Sequence, residues 1–492
     1  MAINISNGQL FINGEWREGS SNVVKPTYNP ANETFITDIA QASEADIDAA
    51  IDAADNAFKS PEWAEMSPLE RSRLLIKVAQ LVERDADELA TLESIDMGKP
   101  KVFSLNIDTK LLADLFYYYA GVAAQIDGVT RKVTRTQSCV EPLAYTQRVP
   151  LGVIAAITPF NFPMLLSATK FAPALAAGNT IVHKPASATP LTAIKMAKIF
   201  DEAGLPKGVF NLVTGSGALI GNRLVDSPKV KKIAFTGSTE VGKSIAKRAI
   251  DSVKKVTLEL GGKSAHIIFD DANLDKAITH ALFGIYYNKG EICTAGSRLL
   301  VQRPVYEEVL ERLHQATKSL IIGDPLDLNT TFGPQVDRNQ VDTCHRYVEQ
   351  ALQDGARLIT GGHRVFPLGD KGHFYAPTIL ADVDNSSPVA QEEIFGPVLC
   401  VIPFDTEDEA VKLANESKFG LAAGIQTENI SRAHRVSSRL QAGLVWVNTY
   451  NQFDVALPFG GFKESGIGRE LGTEVLDAYT QIKSVYIDIE GK

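Results

Sequence analysis

Cysteine is scarce in this chain of 492 residues, with four in all. No two form a CxxC pair, so neither a structural zinc site nor a disulfide scaffold is expected, and the usage suits a reducing compartment. Long apolar runs are missing too. The richest, around Val153 to Thr158, breaks off far short of the ~20 residues that span a bilayer. No basic stripe accompanies the net charge of -10, which argues against a polyanionic partner such as nucleic acid. The start, Met1 to Gly8, has no basic segment leading into an apolar core and no small-residue cleavage site. A cytoplasmic location is therefore expected. Finally, no GxGxxG occurs where a strand opens into a helix, so the usual dinucleotide fingerprint does not apply.

What is present is a soluble composition and a length that calls for two or three domains. Leu10 to Trp16 reads as a hairpin turning on Asn13-Gly14. Helical spacing follows over Ser43 to Phe58, Pro68 to Met97 and Lys110 to Ala124. Ser43 with Asp46 and Ser67 with Glu70 are helix starts, the second at capping-box spacing. The run Phe116-Tyr117-Tyr118-Tyr119 reads as packing rather than a ligand wall. From Val129 to Val149 the pattern, with Val133, Thr134, Val140, Leu143, Tyr145 and Gln147, is that of a long β-hairpin, and Ser484 to Ile489 is a further strand. Both are expected to offer edges to another subunit.

Between Gly152 and Gly262 strands alternate with helices: 152–157, 180–183, 210–213, 232–235 and 256–260 with helices between them. Such alternation means parallel strands joined by crossovers, a doubly wound sheet that binds ligands at the carboxyl ends of its strands. A second alternating series runs from Ala265 to Val447. No low-complexity linker separates the two, so they are expected to pack around a cleft.

Within this frame Cys293 stands apart, set among small residues in Asn288 to Arg298, while Cys139, Cys344 and Cys400 lie in ordinary strand-like or helix-like surroundings. It is either a nucleophile or one more buried small hydrophobe. Phe235-Thr236-Gly237-Ser238 ends a strand and opens a helix, where free amides and the macrodipole favour an anion such as a pyrophosphate. Lys184 closes a strand and can reach a ribose. Glu259 ends an apolar strand before Gly261-Gly262; burial there raises a carboxyl toward a general base, though a paired structural carboxylate is the alternative.

These segments occur in one order with Phe160-Asn161-Phe162-Pro163, Gln391 to Pro397 and Pro458 to Gly466. In that order and spacing the chain resembles the aldehyde dehydrogenase superfamily over essentially its whole length. The resemblance implies an α/β protein: a Rossmann-like cofactor domain (1–127 and 150–258), a second α/β catalytic domain (259–464) and a small β oligomerisation element (128–149 and 478–492). It implies a homodimer or homotetramer and an NAD(P)-dependent oxidation of an aldehyde to its acid. Cys293 resembles the nucleophile, Asn161 with the Cys293 N–H the oxyanion donors, and Glu259 the base that activates water. Glu393 resembles the carboxylate on the nicotinamide ribose, with Phe395 near the ring, and Lys184 the residue on the adenosine ribose. Gly237 and Ser238 match the pyrophosphate turn, and Thr158, Pro159, Phe160, Gly217, Phe235, Thr236 and Leu260 fall along the same cofactor cleft.

The departures bear on cofactor and substrate. Where many NAD-preferring members carry a glutamate three residues beyond the lysine, this chain has Ser187, whose hydroxyl can donate to a 2′-phosphate. NADP is therefore expected to be used, with NAD not excluded. Phe162, Leu166, Tyr287, Phe453 and Phe459 match the family's aldehyde tunnel and make an apolar funnel. No arginine sits in Phe162 to Lys170 to take a semialdehyde carboxylate, and Thr169 replaces the tryptophan of a betaine-aldehyde cage. An aliphatic or aromatic aldehyde is the expectation; a catabolic semialdehyde dehydrogenase and a non-catalytic homologue are the alternatives.

Overall fold

The computed structural model describes residues 8–134 and 142–489. Cys139, Val140 and the first seven residues lie outside the described residues. Two sheets carry the architecture. The first has eight strands in the spatial order Glu15–Arg17, Leu10–Ile12, Phe210–Leu212, Thr180–Lys184, Val153–Ile157, Val230–Thr236, Lys255–Glu259 and Gly466–Ile467. Its five central strands run parallel, and Val153–Ile157 and Thr180–Lys184 are buried at every position. That burial explains why Val153–Ile157 reads as an unbroken apolar run rather than an alternating one. The Leu10–Arg17 hairpin lies antiparallel at one edge, turning on Asn13 and Gly14, both at positive φ, the conformation a two-residue hairpin turn requires.

The second sheet has seven strands, ordered Arg357–Thr360, Thr378–Ala381, Val398–Phe404, Arg298–Gln302, Ala265–Ile268, Ala422–Gln426 and Leu444–Val447. All but the first, which is antiparallel, run parallel. Helices cover both sheets, as crossovers between parallel strands demand. Gly466–Ile467 lies beyond the second sheet in sequence yet adds to the first, antiparallel to Leu258 and Glu259. The chain thereby returns to the first sheet beside the strand end that carries Glu259.

Most elements fall where periodicity puts them, with informative differences. The helical stretch expected over Pro68 to Met97 is two helices, Pro68–Arg84 and Ala86–Met97. Between them Asp85 leaves helical geometry (φ -99, ψ 15), and its carboxylate takes Arg84 and Lys195 at 2.7 Å each. The capping box expected at Ser67 and Glu70 forms, and Ser43 with Asp46 forms one as well. The two segments expected to seek another subunit pair first with each other: Pro142–Pro150 lies antiparallel to Thr480–Asp488 along its whole length, with Thr130–Arg131 on its other side. The edge strands of this three-stranded sheet are Thr480–Asp488 and the two-residue Thr130–Arg131, so the long open edge is that of Thr480–Asp488.

Candidate active site

The parallel register of the first sheet brings its strand ends level. Ile157 stands beside Lys184 and Phe235, and Thr236 beside Glu259. Just beyond these ends lies a cleft of about 700 Å³. All fourteen residues expected to hold a cofactor line it: Thr158, Pro159, Phe160, Lys184, Ser187, Gly217, Phe235, Thr236, Gly237, Ser238, Glu259, Leu260, Glu393 and Phe395. Asn161 and Cys293 line it too. A second, apolar chamber of about 350 Å³ is walled by Phe162, Leu166, Tyr287, Phe453 and Phe459, as expected. Cys293 lines both spaces.

The Cys293 thiol is pushed well above its ordinary value by burial, and by the carboxylates of Glu393 and Glu259; its own N–H and that of Thr294 act the other way. A thiol so placed is neutral at rest and needs a base to attack. Glu259 is almost fully buried, and neither of its carboxylate oxygens has a hydrogen-bond partner. Burial first, then the nearby Glu470 charge, raises its pKa well above the usual carboxylate range, against Lys170 and Arg469. An unpaired buried carboxyl is rare enough to require a reason, and the structural-pair alternative does not describe it.

Asn161 is buried and donates from Nδ2 to the Glu291 carbonyl at 3.0 Å. That bond uses one of its two N–H groups and fixes the amide plane. Glu393 accepts from the Gly262 N–H at 2.9 Å, and burial pushes its carboxyl up to about 7. The two glycines beside it leave no room for a side chain unless a neighbour shifts. A Cβ on Gly261 would stand 2.3 Å from Glu393 Oε2, and one on Gly262 would stand 2.3 Å from the Cys293 carbonyl. Phe395 sits at φ 60, edge-on to Phe160 with ring centres 5.6 Å apart.

The cleft fits a dinucleotide on its own evidence. Lys184 is 6% exposed, its ammonium makes no hydrogen bond or ion pair among the described residues, and its pKa is lowered by burial to about 8. An ammonium without acceptors in a cleft is suited to ribose hydroxyls or phosphate oxygens. Two readings change. The Gly237 N–H is taken by the Glu259 carbonyl at 3.0 Å and Ser238 Oγ caps Val241, so anion binding falls to the amides that follow. The Ser187 hydroxyl donates to the Gly215 carbonyl at 2.7 Å, so its proton is already committed.

Sequence reasoning missed other parts. Lys170 Nζ pairs with Glu470 Oε1 at 2.5 Å, both side chains buried, and also reaches Thr236 Oγ1 at 2.6 Å. Thr169 donates to Glu470 Oε2 at 2.7 Å. This network joins the surroundings of Glu259 to the apolar chamber, which Thr169 and Glu470 line. The outer cleft between the helices Gly217–Asp226 and Thr239–Ala249 is lined by Val225, Val241 and Ile245. Their spacing is that of any core-facing helix, so nothing in it signals a ligand. Among the described residues no cluster of His, Cys, Asp or Glu could hold a metal ion, and no helix is long and apolar enough to cross a membrane.

A doubly wound sheet whose strand ends open on a nucleotide-sized cleft, meeting an apolar chamber at one cysteine, defines a two-lobed α/β oxidoreductase. Comparison with known proteins narrows the class. The model of the aldehyde dehydrogenase family matches residues 16–485. An aldehyde dehydrogenase of Emericella nidulans is 45% identical, spanning 97% of this chain and 94% of its own. The NAD+ complex of aldehyde dehydrogenase from Bacillus cereus superposes with a TM-score of 0.95 at 44% identity, covering 99% of this chain and 97% of that one. An indole-3-acetaldehyde dehydrogenase of P. syringae, solved with NAD+ and IAA, gives 0.95 at 39%, covering 99% and 98%. The chain belongs to the aldehyde dehydrogenase family, and with it to the NAD(P)-dependent oxidoreductases that oxidise aldehydes.

Proposed function

We propose that this chain oxidises an apolar aliphatic or aromatic aldehyde to its carboxylic acid through a thioester on Cys293. The observation that carries the reading is the place of Cys293, on the wall shared by the cleft and the chamber. An aldehyde in the chamber presents its carbonyl carbon to Sγ. Glu259 takes the thiol proton as the C–S bond forms, and the carbonyl oxygen gathers charge between the second Asn161 N–H and the Cys293 N–H, a pair of preorganised donors. When bound, NAD(P)+ supplies the acceptor for the hydride that leaves the thiohemiacetal carbon, which turns it into a thioester. Glu259 gives that proton up to solvent and then draws a second one from water, whose oxygen attacks the thioester carbon; the C–S bond breaks, the acid leaves and Glu259 returns the second proton to the sulfur, restoring the thiol.

Lys184, Glu393, Phe395 and the helix-start amides from Ser238 onward, beyond the Gly237 turn, hold the cofactor in this scheme, with residues 1–127 and 150–258 as its domain and 259–464 as the catalytic one. NADP is accepted beside NAD. The support is the lack of a carboxylate at Ser187, which removes repulsion, and the unpaired Lys184 ammonium, which meets a 2′-phosphate better than the committed Ser187 hydroxyl does. Aromatic walls favour apolar substrates: Phe283 stacks on Tyr287 at 4.6 Å and Phe453 lies 5.8 Å from Phe459. A relative solved with NAD+ and IAA is consistent with an aromatic substrate. A semialdehyde is the second reading, because Lys110 lines the chamber and makes no ion pair among the described residues.

Initial rates on hexanal, benzaldehyde and succinic semialdehyde with each cofactor test these readings. A strong preference for succinic semialdehyde would favour the second. A kcat/KM for NAD more than about a hundredfold above that for NADP, roughly 2.7 kcal/mol, would remove the NADP proposal. Cys293→Ala is expected to abolish aldehyde-dependent cofactor reduction. The open edge of Thr480–Asp488, with Ile482 and Tyr486 exposed, is proposed as the seam of a homodimer or homotetramer; sedimentation at 53.3 kDa would refute it.

A further inference from the structure

The segment before Cys293 is unusual in its backbone. Asn288 (φ 49, ψ 35) and Lys289 (φ 56, ψ 26) are both left-handed, and Gly290 follows at φ 78. Consecutive L-residues seldom adopt this conformation, and they keep it only where the surroundings over-determine it. Here the surroundings are a buried ion pair. Lys289 Nζ lies 2.9 Å from Glu291 Oε2, both side chains fully buried. The ammonium also donates to the Met97 carbonyl at 2.8 Å, at the end of the helix Ala86–Met97, where a cation suits the macrodipole. Glu291 Oε1 accepts from the Val336 N–H at 2.9 Å, and Gln335 donates to the Lys289 carbonyl at 3.2 Å. The turn is thus tied to two distant segments through two charges that neither the catalytic scheme nor cofactor binding uses.

The backbone of Glu291 faces the reacting groups. Its carbonyl accepts from Asn161 Nδ2 and Asn288 Nδ2, each at 3.0 Å, and Asn288 Nδ2 also reaches the Asn161 carbonyl at 2.8 Å. Whatever moves Glu291 therefore moves the Asn161 amide and, two residues on, the thiol. We propose that Lys289 and Glu291 are positioning residues, an ion-paired clamp that holds the left-handed turn and thereby aligns Asn161 with Cys293. This inference rests on the reading of Cys293 as nucleophile and Asn161 as oxyanion donor, and it adds residues that touch neither substrate nor cofactor.

A full-chain variant series tests it. Removing one partner leaves a lone buried charge, so Lys289→Met and Glu291→Gln are each expected to lower kcat more than tenfold with KM for the cofactor changed less than threefold. Alkylation of Cys293 by iodoacetamide, followed on its own peptide, should slow in step. The double variant Lys289→Gln/Glu291→Gln restores an uncharged hydrogen-bonding pair at the same positions and should return both rates to within threefold of wild type. Should a single variant not fold, Lys289→Arg takes its place: it keeps the charge, displaces the turn with its bulk, and should depress the same two rates. Folded single variants with wild-type kcat and alkylation, a kcat loss without a change in alkylation, or a double variant no better than the single ones would each overturn the clamp. Cys293→Ala in the same series separates the two ideas. Activity in that variant refutes the nucleophile itself, whereas an inactive Cys293→Ala beside fully active pair variants refutes only the clamp.

Discussion

Placing a methyl group on Gly262 is expected to disable the enzyme without unfolding it. Its Cβ would stand 2.3 Å from the Cys293 carbonyl oxygen and 3.3 Å from Leu421 Cβ. Ordinary contact begins near 3.4 Å, so the two backbones must part by about 1 Å, and the carbonyl of Cys293 itself is what moves. Overpacking of this kind costs ~1–3 kcal/mol, small against the stability of a large domain. A shift of ~1 Å at reacting atoms costs about a hundredfold in rate, roughly 2.7 kcal/mol of barrier. Gly262→Ala should therefore fold, melt a few degrees lower, lose about a hundredfold in kcat and show slower alkylation of Cys293. Gly261→Ala is the internal control. Its Cβ would meet Glu393 Oε2 at the same 2.3 Å, but a carboxylate can swing aside where a backbone cannot. That variant should raise KM for the cofactor by about tenfold and leave alkylation unchanged. Stopped-flow rates, cofactor titration and thiol labelling on both proteins decide the matter. A Gly262→Ala protein with wild-type kcat, or two variants with the same profile, would refute the assignment of the Gly262 contact to Cys293 and of the Gly261 contact to Glu393.

Glu259→Gln should lower kcat by about 10²–10⁴-fold while sparing a single round of cofactor reduction better than turnover, and equal losses in both would argue against Glu259 as the base that activates water. The same variant has a signature in stability. A carboxyl raised in the fold keeps its proton after the unfolded chain has lost it, so the stability it lends is complete below its unfolded pKa and fades as pH rises through the folded one. Glu259→Gln lacks that decline, and its Tm relative to wild type should climb from pH 5 to pH 8; a constant difference would show that Glu259 is not perturbed. Ser187→Glu sets a carboxylate beside the site proposed for a 2′-phosphate, at a cost of ~2–4 kcal/mol for close like charges in a partly buried cleft. It should cut kcat/KM with NADP at least thirtyfold and spare NAD, and equal effects on the two cofactors would refute the placement of Ser187.

The local grammar of the chain was legible because it rests on local physics. Strand 153–157 reads from its unbroken apolar run, the helix start at Ser67 from its capping box, and the hairpin at Asn13-Gly14 from the positive φ those residues tolerate. The break at Asp85 was not legible, since the partner that helps hold its carboxylate, Lys195, lies on another helix. Nor was the pairing of Pro142–Pro150 with Thr480–Asp488: each segment alone shows only a strand with an open edge. In the site, residue types and order pointed to Cys293, Glu259 and Asn161, but not to Glu470, which meets Lys170 across 300 positions of chain.

Sequence by itself determined the element order, the family and the identity of the groups with chemistry to offer, because periodicity, turn propensity and motif spacing are properties of neighbouring residues. Tertiary structure alone decided what those groups experience. It left both oxygens of Glu259 without a partner, committed the Ser187 proton to Gly215, and set Cys293 on the wall common to two cavities. Burial, pairing and the approach of one backbone to another depend on segments hundreds of residues apart, and only the closed fold brings them within reach.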